Sequence, residues 1–285
     1  VVGLANSKKF LINEEGIDLN NWKAAMETAA EGNVERFTDG IIQRNLRNTV
    51  FVDITASDIV ANVYPKLLEK SIAIVACNKI ACSSPYAYYR SLKDKAHALN
   101  TSFLFETNVG AALPVIGTLN DLLKSGDRVQ RIEAVLSGTL NFVFNNYDGS
   151  KPFADVVKQA QDEGYTEPDP RLDLSGTDVM RKIMILAREA GELLEMEAIE
   201  NNSFLPESCM AGSVADFYVE MGRLEAHFKA IYDAAAANGC KLKFVATFDN
   251  GKAKVGLQQI APGHDLYHLY GKDNVVLFYT DRYIE

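Results

Sequence analysis

The sequence predicts an α/β fold in two lobes: a doubly wound lobe with a parallel sheet, incomplete as it stands, then an α+β lobe with a mixed sheet. Three observations predict it. The chain has 285 residues, more than one typical core holds. Residues 1–106 alternate short apolar strands with helices, the pattern of a parallel sheet covered on both faces. From residue 107 to 285 the order changes to helices interleaved with an alternating strand and an Asn-Gly hairpin.

In chain order, residues 1–5 read as a short apolar strand, and residues 19–30, with the only tryptophan, Trp22, as an amphipathic helix. Residues 50–55 form a continuous apolar strand, after which Ser57 caps a helix expected over 58–70. A second buried strand, 72–77, leads to Asn78-Lys79. Ser84-Pro85 opens a helix with proline at its first position, running to about residue 99. Residues 102–106 close the lobe as a strand. In such sheets ligands bind at the carboxyl ends of strands, where Thr55, Asn78, Lys79 and Glu106 stand.

The second lobe opens with a helix over 113–124. A strand over 129–136 runs into Ser137-Gly138-Thr139, and a helix over 152–163 is stopped by Gly164. One long helix is expected over 214–237, then a hairpin of 242–248 and 252–258 about Asp249-Asn250-Gly251. A last strand covers 275–279. Exposed strands in a mixed sheet suit pairing with a second copy of the chain.

Composition narrows the function. Hydrophobic residues make up 47% of the chain, enough for globular packing, and 29 basic against 38 acidic side chains give −9, which argues against a nucleic-acid partner. Apolar runs are strand-sized, with no membrane span or signal peptide, so a cytoplasmic protein is expected. Cys77, Cys82, Cys209 and Cys240 form no C-x-x-C pair and suit reduced thiols. Cys77 and Cys82 are expected as buried or half-buried small side chains. His97, His227, His264 and His268 form no ligand constellation.

The stretch 164–182 reads G-Y-T-E-P-D-P-R-L-D-L-S-G-T-D-V-M-R-K. Pro168 and Pro170 fix their own φ and push the preceding residues away from helix, so a stiff extended loop presenting Glu167, Asp169 and Asp173 is expected. Ser175 is expected to cap a helix carrying Asp178 and Lys182 on one face. That helix is apolar nearly all round and hence buried, which aims Lys182 into a cleft with acidic partners. On spacing alone, a surface Asp–Lys pair beside a solvated acidic loop is an equal reading.

This stretch resembles the signature of the homoserine dehydrogenase family. The resemblance covers nearly the whole chain: A-N-S-K from Ala5, N-K at Asn78-Lys79, E-T-N-V-G-A-A-L-P from Glu106 and S-G-T from Ser137 fall in family order. It is most similar to the dehydrogenase half of bifunctional aspartokinase–homoserine dehydrogenases, which implies an aspartokinase domain in the full gene product. The fold implied for the first lobe is Rossmann-like.

The resemblance implies NADP- or NAD-dependent, reversible hydride transfer between L-homoserine and L-aspartate 4-semialdehyde, within threonine and methionine biosynthesis. A hydroxyl that loses hydride also loses a proton, and the resemblance casts Lys182 as that acid/base, with Asp178 and Lys79 positioning the oxygen. Glu167 and Asp173 match substrate-binding carboxylates, with Tyr165 and Thr139 in the same pocket. Asp169, between the prolines, is assigned only to holding the loop. Glu106 and the carbonyls of Val109, Ala111 and Leu113 match a loop for a monovalent cation, sodium or potassium. Taken alone, the same residues read as a strand-to-helix connection bent at Gly110. A homodimer or higher homo-oligomer is also implied.

Thr55, Lys79, Ser7 and Lys8 are the candidate cofactor contacts. No carboxylate follows the opening strand, where an NAD-binding lobe carries one, and Lys8 with Lys9 favours NADP; two solvated lysines are the other reading. None of the 19 glycines are spaced as G-x-G. Residues 1–5 are therefore expected as the second strand of the nucleotide-binding unit, with its phosphate loop and a C-terminal Gly-rich segment outside this stretch. That absence also supports a competing reading, a non-enzymatic amino-acid-binding and dimerisation fragment.

Overall fold

The computed structural model describes residues 1–284. Contacts divide the chain into two units, the first ending at Asn108 and the second starting at Val109.

The first unit begins with β1 (Gly3–Ala5) and β2 (Lys9–Ile12), followed by α1 (Trp22–Glu27), β3 (Ala30–Glu31) and α2 (Val34–Arg44). The opening strand does not join a parallel sheet as expected. Asn6 Oδ1 accepts from the N–H groups of Lys8 and Lys9 at 2.9 and 2.8 Å and turns the chain back. β1 therefore pairs antiparallel with β2, and β3 completes a small sheet of order β1-β2-β3. The first helix is shorter than its amphipathic stretch. α2, unread in the sequence, is capped by Asn33, whose side chain accepts from Arg36 N at 3.0 Å, and ends at left-handed Asn45.

β4 (Val50–Asp53), α3 (Asp58–Ala61), α4 (Tyr64–Leu68), β5 (Ala73–Ala76), α5 (Ile80–Ser83), α6 (Tyr86–Ala98) and β6 (Phe103–Leu104) supply the parallel sheet, of order β4-β5-β6. The single helix expected over 58–70 is broken. Pro65 has no N–H for the Ala61 carbonyl, which instead accepts from Tyr88 Oη at 2.7 Å. Tyr64, Leu67, Leu68, Ile74 and Leu92 are fully buried. The strands are not buried on both faces: Val50, Val52, Val75 and Leu104 are exposed, and alternation carries Cys77 to the exposed face as well.

The second unit runs α7 (Val115–Lys124), β7 (Val129–Val135), α8 (Gly138–Asn146), α9 (Phe153–Asp162), α10 (Arg171–Leu174) and α11 (Thr177–Glu189). It continues with β8 (Glu200–Asn202), α12 (Val214–Arg223), α13 (Glu225–Ala237), β9 (Lys241–Asp249), β10 (Lys252–Ile260) and β11 (Val275–Thr280). The sheet has the order β11-β7-β9-β10-β8, antiparallel except for the β8–β10 pair, and is therefore mixed. The hairpin turns on Asn250 and Gly251, with φ of 50° and 75°, the left-handed pair that matches strand twist.

The long helix expected over 214–237 bends at Leu224 instead of running through. Tertiary contacts set the bend. The Glu225 carboxylate accepts from Phe153 N at 2.6 Å and from Tyr147 Oη at 2.8 Å, and Phe228 stacks on Phe153 with centroids 4.3 Å apart.

Candidate active site

In the second unit the site is built where β7 ends. Ser137 Oγ accepts from Leu140 N at 3.1 Å and starts α8. Gly138 follows because a Cβ there would stand 3.0 Å from the Lys272 carbonyl oxygen. Thr139 donates its hydroxyl to the Tyr165 carbonyl and stands 3.4 Å from Asp173 Oδ1. Asp173 Oδ2 accepts from Glu167 N at 2.8 Å. Thr139, Tyr165, Glu167 and Asp173 are thus brought together. Burial, reinforced by the charges of Glu167 and Asp178, pushes the Asp173 carboxyl above its usual value, against the pull of the Glu167 N–H.

The loop is not extended throughout. Proline's fixed φ also suits a first helical turn, and Pro170, at φ −61° and ψ −19°, starts α10, so Asp173 projects from a helical turn. Asp169 is engaged by Arg171, with Nη2 at 2.6 Å and Nε at 2.8 Å. Arg171 also donates to the Gly212 carbonyl at 2.9 Å and holds the Asp169 carboxyl low. This pair fastens the loop.

Ser175 does not cap α11. Left-handed Gly176, at φ 76°, occupies that place, and a Cβ on it would lie 2.7 Å from Phe244 Cζ. Ser175 Oγ instead accepts from Thr177 N at 3.2 Å. α11 presents Lys182, whose side chain is 14% exposed and pairs with Asp178 at 2.8 Å. Lys182 Nζ also donates to the Leu136 carbonyl at 2.6 Å. The amine is therefore fixed at the end of β7, the strand that leads to Thr139.

In the first unit, sequence reasoning missed the group that organises the strand ends. Buried Asp53 accepts from Thr55 N at 2.8 Å, Tyr64 Oη at 2.6 Å and Asn78 Nδ2 at 3.0 Å. One carboxylate thus ties the loops that carry Thr55 and Lys79. Its sequence signal was an acidic residue inside an otherwise apolar strand. Ser7 and Lys8 line a cavity of about 480 Å³ with Lys9, Trp22 and Lys23 among its other walls. Three lysines around one open cavity fit the phosphate of a dinucleotide.

In the loop 106–113, Glu106–Asn108 is a 3₁₀ turn, Val109 is buried, and Gly110 and Ala111 are left-handed at φ 76° and 53°. The Leu113 carbonyl accepts from Val115 N at 2.9 Å. Asn108 donates to the Ala76 carbonyl at 2.9 Å, while its buried Oδ1 has no hydrogen-bond partner. An orphaned buried oxygen fits a loop that holds a hard cation. Among the described residues no group of three or more His, Cys, Asp or Glu is placed to hold a metal.

A family model described as homoserine dehydrogenase matches residues 114–285, and one described as homoserine dehydrogenase, NAD binding domain, matches residues 1–106. Over 99% of its length the chain is 40% identical to a chloroplastic bifunctional aspartokinase/homoserine dehydrogenase 1 of Zea mays, and it covers 31% of that protein. The chain spans about a third of the length of the curated relatives it matches. A crystal structure of a Candida auris protein of unknown function superposes with a TM-score of 0.89 at 36% identity, covering 99% of this chain and 82% of that one. A hyperthermophilic archaeal homoserine dehydrogenase in complex with NADPH has a TM-score of 0.70 at 22% identity, over 98% of this chain and 78% of that one, and shares the fold. The chain belongs to the homoserine dehydrogenase family.

Proposed function

We propose that the chain is the dehydrogenase module of a larger protein and interconverts L-homoserine and L-aspartate 4-semialdehyde with NADP. One observation carries this reading: a shielded lysine, held by Asp178 and by the carbonyl after β7, lies in the unit that gathers Thr139, Glu167 and Asp173.

Lys182 takes the proton from the substrate hydroxyl in the oxidative direction and returns it in reduction. Asp178 fixes the direction of the amine and compensates its charge. Lys79 is the second proposed catalytic lysine, at the mouth of the loop that Asp53 fastens through Asn78. Glu167 and Asp173 take the substrate ammonium; a cation arriving there favours the ionised form of the Asp173 carboxyl, which burial first and the charges of Glu167 and Asp178 second hold above its usual value. Tyr165 and Thr139 line the pocket.

When bound, the nicotinamide supplies the acceptor or donor of hydride. Thr55 and Lys79 serve its reactive end, and Ser7 and Lys8 its 2′-phosphate, supported by the lysine-lined cavity. The loop 106–113 holds a sodium or potassium ion, through Glu106 and the carbonyls of Val109, Ala111 and Leu113. An aspartokinase domain in the same polypeptide and a homodimer paired through the second unit are part of the proposal, as is action in the cytoplasm. No described helix is long and apolar enough to cross a membrane.

The test is nicotinamide absorbance with L-homoserine on the intact gene product, wild type beside Lys182→Ala, with NADP and with NAD. Wild type turns over. The variant loses about 100- to 10,000-fold in kcat, the scale of a lost general base, while its affinity for NADP stays within about twofold. A variant with near-normal kcat would remove Lys182 from the chemistry, and an inactive wild type would remove the reaction itself.

A further inference from the structure

Lys243, near the start of β9, is fully buried, and its amine meets three neutral oxygens and no carboxylate among the described residues. It donates to Asn141 Oδ1 at 3.0 Å, to Asn145 Oδ1 at 2.6 Å and to the Leu269 carbonyl. A buried cation without a counter-charge is costly. Burial, with a smaller contribution from Lys241, pushes the amine down to about 8. A methionine could fill this core position without that cost.

The amine's partners show what it does. Asn141 and Asn145 lie on α8, the helix that begins at Gly138-Thr139. Asn141 Nδ2 donates to the Asp273 carbonyl at 3.0 Å, and Asn145 Nδ2 to the Gly271 carbonyl at 3.0 Å. These bonds press the segment 269–273 against α8. There the Lys272 carbonyl meets Gly138, and Lys272 Nζ lies 4.5 Å from the centre of the Tyr165 ring. Thr139 and Tyr165 belong to the proposed substrate pocket, and Gly138 starts the helix that carries Thr139.

We infer that Lys243 is a positioning residue for the substrate pocket: through Asn141, Asn145 and the Leu269 carbonyl it fixes the segment 269–273 as the wall beside Thr139 and Tyr165. The kinetic part rests on the reaction proposed above; the structural part does not.

The intact gene product is compared as wild type, Lys243→Met, Lys243→Arg and Asn145→Ala. Losing the donors raises the KM for L-homoserine about tenfold in Lys243→Met, and less in Asn145→Ala, with kcat within about threefold and the KM for NADP unchanged. Arginine retains charge and donors and restores KM to within about threefold of wild type. Amide hydrogen exchange over 269–274 speeds up in Lys243→Met and Asn145→Ala, a readout that needs no activity. If Lys243→Met does not fold, Asn145→Ala and Lys243→Arg decide. Lowered thermal stability with wild-type KM and unchanged exchange over 269–274 would overturn the assignment. An inactive wild type whose variants still exchange faster would refute the reaction but leave the wall in place.

Discussion

Lys243 also leaves a signature in the pH dependence of stability. Its amine titrates near 8 in the folded chain against an ordinary value of 10.5. Between those values the unfolded chain binds the extra proton, so stability rises with pH across the window. Wild type measured against Lys243→Met cancels the other titrating groups. The difference should move in favour of wild type by on the order of 3 kcal/mol from pH 8 to 10.5, read from urea midpoints. A flat difference would mean that the amine keeps ordinary hydration. No local pattern reveals this residue, because its partners Asn141 and Asn145 are 102 and 98 positions away. The Asp178–Lys182 pair could be read for the opposite reason, because Asp178 stands one helical turn before Lys182; its place in a cleft was suggested only by the long motif around both.

At the scale of elements, continuous apolar runs gave away β4, β5 and the β9–β10 hairpin, and Asn250-Gly251 gave away its turn. What local patterns missed was settled by contacts distant in sequence. The break between α3 and α4 depends on Tyr88 standing in for the N–H that Pro65 lacks, and the bend at Leu224 on the grip of Glu225 at the start of α9. The start of α11 depends on the closeness of Phe244, which makes Gly176 the cap in place of Ser175. Gly176→Ala joins left-handed strain to a 2.7 Å clash with that ring. It should cost at least about 2 kcal/mol in urea unfolding. A loss below about 0.5 kcal/mol would show that the turn can be rebuilt without left-handed backbone.

For the molecule as a whole, a net charge of −9 coexists with a cavity that Lys8, Lys9 and Lys23 line, so overall charge does not describe the charge a ligand meets. The change in element order near residue 106 is where the sequence suggests a division, and the contacts divide after Asn108. The antiparallel return of β1 was not legible, because it follows from the side chain of Asn6. The sheet of the second unit joins two kinds of pairing. β9 and β10 are neighbours in sequence and close through a two-residue turn, whereas β11 reaches β7 only late in the chain: Thr280 Oγ1 donates to Asp127, 153 positions earlier. Local pairing forms on the microsecond scale, but distant pairing must first meet the entropy of loop closure. Val245→Ala in the hairpin should therefore slow refolding, whereas Leu277→Ala in β11 should chiefly hasten unfolding. Equal effects of both on the refolding rate would contradict this order. The segment 269–273 lies between β10 and β11 and is held by Asn141 and Asn145 of α8; were β11 to dock last, as the refolding comparison tests, the proposed wall beside Thr139 would set late, and a chain stalled before that step would carry Lys182 on its helix beside a pocket still open on that side.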